Sequence, residues 1–195
     1  MKCCETQASD GCCTVVCGCA EQVDDLKSSE RKSKIVIDFM YLDLSVCERC
    51  QGTEGSLEEA ISDVARVLEL TGAEVVVNRI HIDSEEKAVA YRFESSPTIR
   101  INGKDIQLET RESLCESCGD LCGEEVECRV WVYNGKEYSV PPKAMIIEAI
   151  LREVYGGGSL ADGSGKEKEQ KYELPENLKK FFRARKENSS GPNCA

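Results

Sequence analysis

Ile35-Val36-Ile37-Asp38-Phe39-Met40-Tyr41-Leu42, followed closely by Cys47-Glu48-Arg49-Cys50, is the stretch on which the reading of this chain turns. Its first eight residues are β-branched, aromatic or aliphatic with one charge, the pattern of a buried strand. Downstream, Leu57, Ala60, Ile61, Val64, Val67 and Leu68 recur at the spacing of one helical face. Ser56 and Glu59 form a capping box that predicts the start of this helix, and Gly72 predicts its stop. The intervening Gly52-Thr53-Glu54-Gly55 is poor in helix formers, so the cysteine pair is expected on a loop ahead of the helix.

Residues 74–82 alternate as a second strand, and residues 85–93 suit a short helix. Pro97 leads into Thr98-Ile99-Arg100-Ile101, closed by an Asn102-Gly103 turn. A second Asn-Gly turn, Asn134-Gly135, joins residues 129–133 to residues 137–140 as a hairpin. Pro142 then opens a helix with Ile146, Ile147, Ile150, Leu151 and Val154 facing inward. The order β-α-β-α-β-β-α predicts an α/β, thioredoxin-like core over residues 34–156, with a Cys-rich insert at 110–128. A polar Cys-rich N-terminal extension covers residues 1–33. Residues 157–195 continue the glycine run begun at Gly156 and form a linker and a basic tail, read as flexible and solvated.

The chain has 195 residues, is 41% hydrophobic and carries a formal charge of −11, a balance that argues against nucleic acid as partner. No apolar run has the length of a membrane span, and the N-terminus lacks the apolar stretch of a secretory signal. A cytoplasmic location is therefore expected. There the 13 cysteines read as metal-binding or catalytic rather than as a disulfide framework.

Cys47-Glu48-Arg49-Cys50 follows the first strand of a βαβ unit, where a redox dithiol would sit. Cys47 is the expected nucleophile, its thiolate helped by Arg49 and opposed by Glu48, and Cys50 the resolving thiol. Pro97 in Ser95-Ser96-Pro97-Thr98-Ile99 is either a cis-proline facing that dithiol or an ordinary trans proline at a strand start. Cys115, Cys118, Cys122 and Cys128 place four thiols near two glycines, a donor set for zinc or a softer ion. Two local disulfides, or a cage joining Cys47 and Cys50 to Cys115 and Cys118, are the alternatives. Cys3-Cys4, Cys12-Cys13 and Cys17-Gly18-Cys19 can share a thiophilic ion, or lie on a tail unconnected with the core. Cys194 is either a mobile resolving thiol or an ordinary terminal residue. His81, the single histidine, reads as a satisfied strand residue rather than a catalytic one. The basic segment 178–186, with Phe181-Phe182, reads as a solvated helical tail or a contact for an acidic partner or membrane surface.

The stretch from Tyr41 to Thr53 resembles an uncharacterised bacterial family of thioredoxin-like proteins. So do Ile82-Asp83-Ser84, the run from Ser95 to Gly103, and the Cys115–Cys128 cluster with Arg129-Val130-Trp131. The family is a domain of unknown function, the DF family of (seleno)proteins, and the resemblance covers about residues 34–156. It implies a thioredoxin-like fold and, from selenocysteine in some relatives, redox or metalloid chemistry at positions 47 and 50. Two functions follow as expectations. One is thiol–disulfide exchange with protein or small-molecule thiols through Cys47 and Cys50, with Pro97 shaping the substrate face and no cofactor required. The other is non-enzymatic binding or transfer of zinc, mercury, arsenite or copper.

Overall fold

The computed structural model describes residues 33–122, 125–156 and 172–189. The cysteines before residue 20, most of the expected glycine linker, and Cys194 lie outside the described residues. The structure is mixed α/β. Strand β1 (Ser33–Tyr41) is central because its pleat alternates between two apolar layers. Ile35, Ile37 and Phe39 point into one layer and Met40 into the other. Helix α1 (Glu48–Leu70) provides the crossover that a parallel neighbour requires, and β2 (Ala73–His81) returns beside β1 with Ile37 opposite Val77.

Helix α2 (Glu85–Ala90) is capped by Ser84, whose hydroxyl oxygen accepts from the Lys87 amide at 3.3 Å. Strand β3 (Thr98–Ile101) runs antiparallel on the other side of β1, with Ile99 opposite Phe39. The short β4 (Lys104–Asp105) completes a four-stranded sheet of order β2-β1-β3-β4. The insert folds as β5 (Arg111–Leu114) and α3 (Glu116–Cys122). It continues into β6 (Glu127–Tyr133), which pairs with β5 and with β7 (Lys136–Tyr138) as a second, antiparallel sheet. The β6–β7 turn is the expected Asn134-Gly135, with φ of 51° and 74°, the left-handed pair that a type I′ hairpin needs.

One layer holds Ile35, Ile37 and Phe39 against α1 and α4 (Lys143–Tyr155), with Trp131 between them. Leu57, Ala60, Val64 and Leu68 of α1 are buried there, each large aliphatic side chain contributing roughly 1.5–3 kcal/mol. Val67, expected on the same face, lies at the margin of that arc and is exposed. The other layer holds Met40, Leu42, Ile82 and Phe93 with five cysteines and α5 (Glu176–Ser189).

Two sequence expectations are corrected here. Helix α1 does not begin at Ser56. It begins eight residues earlier, so Cys47 is the N-cap and Gly52-Thr53-Glu54-Gly55 lies inside the helix. Tertiary contacts outweigh the weak local propensity. Thr53 is fully buried, Glu54 pairs with Arg79 of β2 at 2.6 Å, and Ser56 donates to the Pro141 carbonyl at 2.6 Å. The basic C-terminal segment is not a solvated tail either. Leu178, Phe181, Phe182 and Ala184 of α5 are buried in the cysteine-bearing layer.

The two helical glycines of α1 separate propensity from packing. A Cβ at Gly55 would meet nothing within 4 Å, whereas at Gly52 it would lie 2.5 Å from Cγ2 of Val140. Gly55→Ala should raise unfolding free energy by about 0.5–1 kcal/mol in denaturant titration. Gly52→Ala should gain less or lose stability, because Val140 must move. Equal gains at both sites would refute the close approach.

Candidate metal centre

The loop from β1 to α1 is folded around Asp43. Its Oδ1 accepts from the Ser45 amide at 2.7 Å, the Ser45 hydroxyl at 2.6 Å and the Val46 amide at 3.2 Å. Burial opposes ionisation of this carboxyl, but these bonds from Ser45 and Val46 prevail and hold its pKa below the usual carboxylate range. Gln51 Nε2 adds a 2.8 Å bond to the Leu44 carbonyl. The loop thereby delivers Cys47 to the helix N-terminus, where its Sγ accepts from the Cys50 amide at 3.4 Å.

The other sulfurs come from the second sheet. Cys115 follows β5, and its amide donates to the Val126 carbonyl at 2.9 Å. Cys118 lies on α3 and Cys128 on β6. The Sγ atoms of Cys47, Cys115, Cys118 and Cys128 all lie within 4.8 Å of one another, with Cys118 and Cys128 at 3.4 Å. All four residues are buried, and all four are free thiols. A tetrahedral zinc–thiolate site, with Zn–S of about 2.3 Å, has its sulfurs roughly 3.8 Å apart. Four buried cysteines are thus positioned to hold a soft metal ion.

The electrostatics favour the same occupant. Hydrogen bonds from Cys115, Cys118, Cys128 and Cys50 hold the Cys47 thiol well below its ordinary pKa. Those from Cys118 and Cys128 lower Cys115 to about 6. The donor role raises Cys118 and Cys128, since their protons are shared with neighbouring thiolates. A desolvated pocket cannot ionise all four sulfurs unaided, and a bound dication removes that barrier.

Among the described residues Cys115, Cys118 and Cys128 come together with Cys47, while the side chain of Cys122 lies outside the described residues. Cys50, the other half of the expected dithiol, is fully buried beside the set, its Sγ 3.3 Å from Ser96 Oγ. Ser96 Oγ already accepts from the Leu42 amide at 3.1 Å, so its hydrogen is available to the Cys50 sulfur. The carbonyl of Ser96 accepts from the Arg129 amide at 2.7 Å, which ties β6 to the same point. The Ser96–Pro97 peptide is cis. Cys47 and Cys50 are both reduced, and the hydrogen bond from the Cys50 thiol to Cys47, together with burial, pushes the Cys50 pKa up.

Arg49 directs its guanidinium to main-chain oxygens of the second sheet. Nη1 donates to Cys128 O at 3.0 Å and Ser113 O at 3.3 Å, and Nη2 to Leu114 O at 2.6 Å. It therefore clamps the element carrying Cys47 to those carrying Cys115 and Cys128. His81 stacks on Tyr41 and its Nε2 lies 2.9 Å from the Leu42 carbonyl, a satisfied strand histidine. Helix α5 closes the layer, pinned by Asn177, which exchanges bonds with the Glu127 amide at 3.0 Å and carbonyl at 2.7 Å. The signal for this helix was present in sequence, because Leu178, Phe181 and Phe182 stand at i, i+3 and i+4. Ser96 and the clamp role of Arg49 had no such signal. No described helix is long and apolar enough to cross a membrane.

These features define a cysteine-rich α/β protein with a buried four-thiol site. Residues 35–150 match the family described as Domain of unknown function (DUF2703), and the chain belongs to it. This agrees with the resemblance to an uncharacterised family. No curated protein and no solved structure matches the chain.

The clamp makes a prediction. Removal of groups that orient metal ligands typically costs 10–100-fold in affinity. Arg49→Ala should therefore weaken zinc binding by at least about tenfold in chelator competition, and Arg49→Lys should restore little, since an ammonium cannot fork across three carbonyls. Unchanged affinity in Arg49→Ala would remove the clamp from the site.

Proposed function

We propose that this protein binds a soft metal ion of the zinc class through Cys47, Cys115, Cys118 and Cys128, without catalytic turnover of its own. The observation that carries this reading is the mutual approach of four buried sulfurs to within 4.8 Å. Four thiolates and no carboxylate or imidazole are the donor chemistry of zinc and of softer ions such as copper(I), mercury or arsenite. Zinc fits best because all four sulfurs converge, whereas arsenite takes three. When bound, the ion would cross-link α1 to β5, α3 and β6 and neutralise part of the thiolate charge. Reduced thiols also fit a reducing compartment such as the cytoplasm.

A second reading, thiol–disulfide exchange by Cys47 and Cys50, is favoured by a separate observation. Cys47 caps α1, Cys50 lies on its first turn, and Ser96, next to Pro97, touches the Cys50 sulfur. The strand order β2-β1-β3-β4, with one parallel and two antiparallel pairings, is also the layout expected of a thioredoxin-like core. Against open exchange chemistry, both thiols are fully buried, and Cys47 stands within the four-sulfur set.

The two readings part on which cysteines the metal needs. The full chain is purified without oxygen and its zinc counted, then reloaded with cobalt(II) to read the charge-transfer and tetrahedral ligand-field bands of a tetrathiolate. Cys118→Ser and Cys128→Ser should each lose one equivalent of zinc relative to the parent and abolish those bands. Cys50→Ser should keep both. Full zinc and unchanged bands in Cys118→Ser and Cys128→Ser would sink the metal reading, whatever the N-terminal cysteines bind.

A further inference from the structure

Cys47 occupies two chemical settings at once. Its sulfur is one corner of the four-thiol set, and it accepts from the amide of Cys50, three residues on along the same helix. Residues three apart on a helix stand about 5–6 Å apart at Cβ. A disulfide needs Cβ atoms about 3.5–4.5 Å apart, so the first turn must close by roughly 1–2 Å to join the two sulfurs. Cys50 is also the one described thiol of the layer outside the four-sulfur set, and its Sγ lies 3.3 Å from the Ser96 hydroxyl. A sulfur bonded to Cys50 is no longer a thiolate ligand. A Cys47–Cys50 disulfide therefore takes one of the four donors from the ion and weakens its hold.

On the metal reading above, we infer that Cys47 and Cys50 form a hydroperoxide-reactive dithiol whose oxidation releases the bound ion. Cys47 thiolate attacks one peroxide oxygen, the O–O bond breaks, and Cys47 becomes a sulfenic acid as hydroxide leaves and takes a proton to form water. The Cys50 sulfur attacks the sulfenic sulfur, forms the S–S bond and expels the second oxygen as water. Two thiols and one hydrogen peroxide give one disulfide and two waters. Two electrons pass from sulfur to oxygen while the ion keeps its charge and loses one of four ligands.

Burial selects the oxidant. Cys47 and Cys50 are fully buried, which admits a small neutral peroxide more readily than a protein disulfide. A cleft of about 510 Å³ reaches the cluster on the Cys115 side, lined by Leu114, Cys115, Glu116, Asp120, Glu125 and Val126. Its three carboxylates suit an outgoing cation. Cys118 and Cys128 are closer together, at 3.4 Å, but a bond between them requires two ligands to leave the ion instead of one.

The test uses the full-length chain with Cys3, Cys4, Cys12, Cys13, Cys17, Cys19 and Cys194 replaced by serine, loaded with zinc alone. Equimolar hydrogen peroxide should release zinc to a chromophoric indicator, and peptide mapping should show a Cys47–Cys50 disulfide. Dithiothreitol should restore binding. Cys50→Ser and Cys50→Ala should load zinc equally but release it at least about tenfold more slowly. Release at the parent rate in both variants, or a map showing a Cys118–Cys128 bond in place of Cys47–Cys50, would overturn the inference. A parent that loads no zinc would instead overturn the metal reading on which it rests.

Discussion

Four buried sulfurs drawn together are the constraint on which the cysteine-bearing half of this protein depends. Thiolates repel one another, and burial strips the solvation that would soften the repulsion. In the free protein the four-thiol set meets this by sharing protons, with Cys47 and Cys115 shifted towards the thiolate and Cys118 and Cys128 held as donors. A dication of suitable size would replace those protons with bonds to all four sulfurs. The surrounding polar contacts serve the same convergence. Asp43 shapes the loop before Cys47, Arg49 binds the carbonyls of Leu114 and Cys128, and Asn177 locks α5 to β6.

The sheet makes that convergence possible by dividing the molecule into two layers. Strand β1 places Ile35, Ile37 and Phe39 into a hydrocarbon layer made by α1 and α4. That layer fixes the axis of α1 and thus the position of its N-terminus. Met40 and Leu42 turn into the opposite layer, where sulfur and aromatic side chains pack together with residues of α2, α3 and α5. Helix α1 belongs to both, with its apolar stripe in the first and its capped first turn in the second. The buried Arg129 of β6 is paired with Asp105 at 2.9 Å and set over the Trp131 ring at 5.1 Å.

The central strand, the parallel crossover, the Asn-Gly turns and the terminal α4 were legible because each rests on local periodicity or turn chemistry. What was not legible rests on contacts distant in sequence. Gly52 and Thr53 read as helix breakers, but one fits beneath Val140 and the other fills a buried slot, so the helix runs back to Glu48. The spacing of Cys115, Cys118 and Cys128 marked them as a candidate donor set. That Cys47 joins them without Cys50 was not legible, because Cys47 reaches the set only when β1 and β6 have been brought together through Ser96. The charge of the C-terminal segment hid the apolar stripe of α5. A single helix can present Lys179, Lys180 and Arg183 outward while Leu178, Phe181 and Phe182 cover the cysteines.

The sharing of Cys47 turns two competing readings of the cysteine pair into one physical question. A thiol pair open to exchange needs its leading sulfur exposed, and a structural metal cage needs every sulfur committed. Here the leading sulfur belongs to the buried four-sulfur set, while its partner three residues on lies outside it, hydrogen-bonded to Cys47 and Ser96. Such a pair is poorly placed to attack a folded protein, yet, with an ion bound as proposed, a small oxidant would let it close on itself. The helix N-terminus serves both states, since it stabilises negative charge on Cys47 whether that charge faces a metal or a peroxide oxygen.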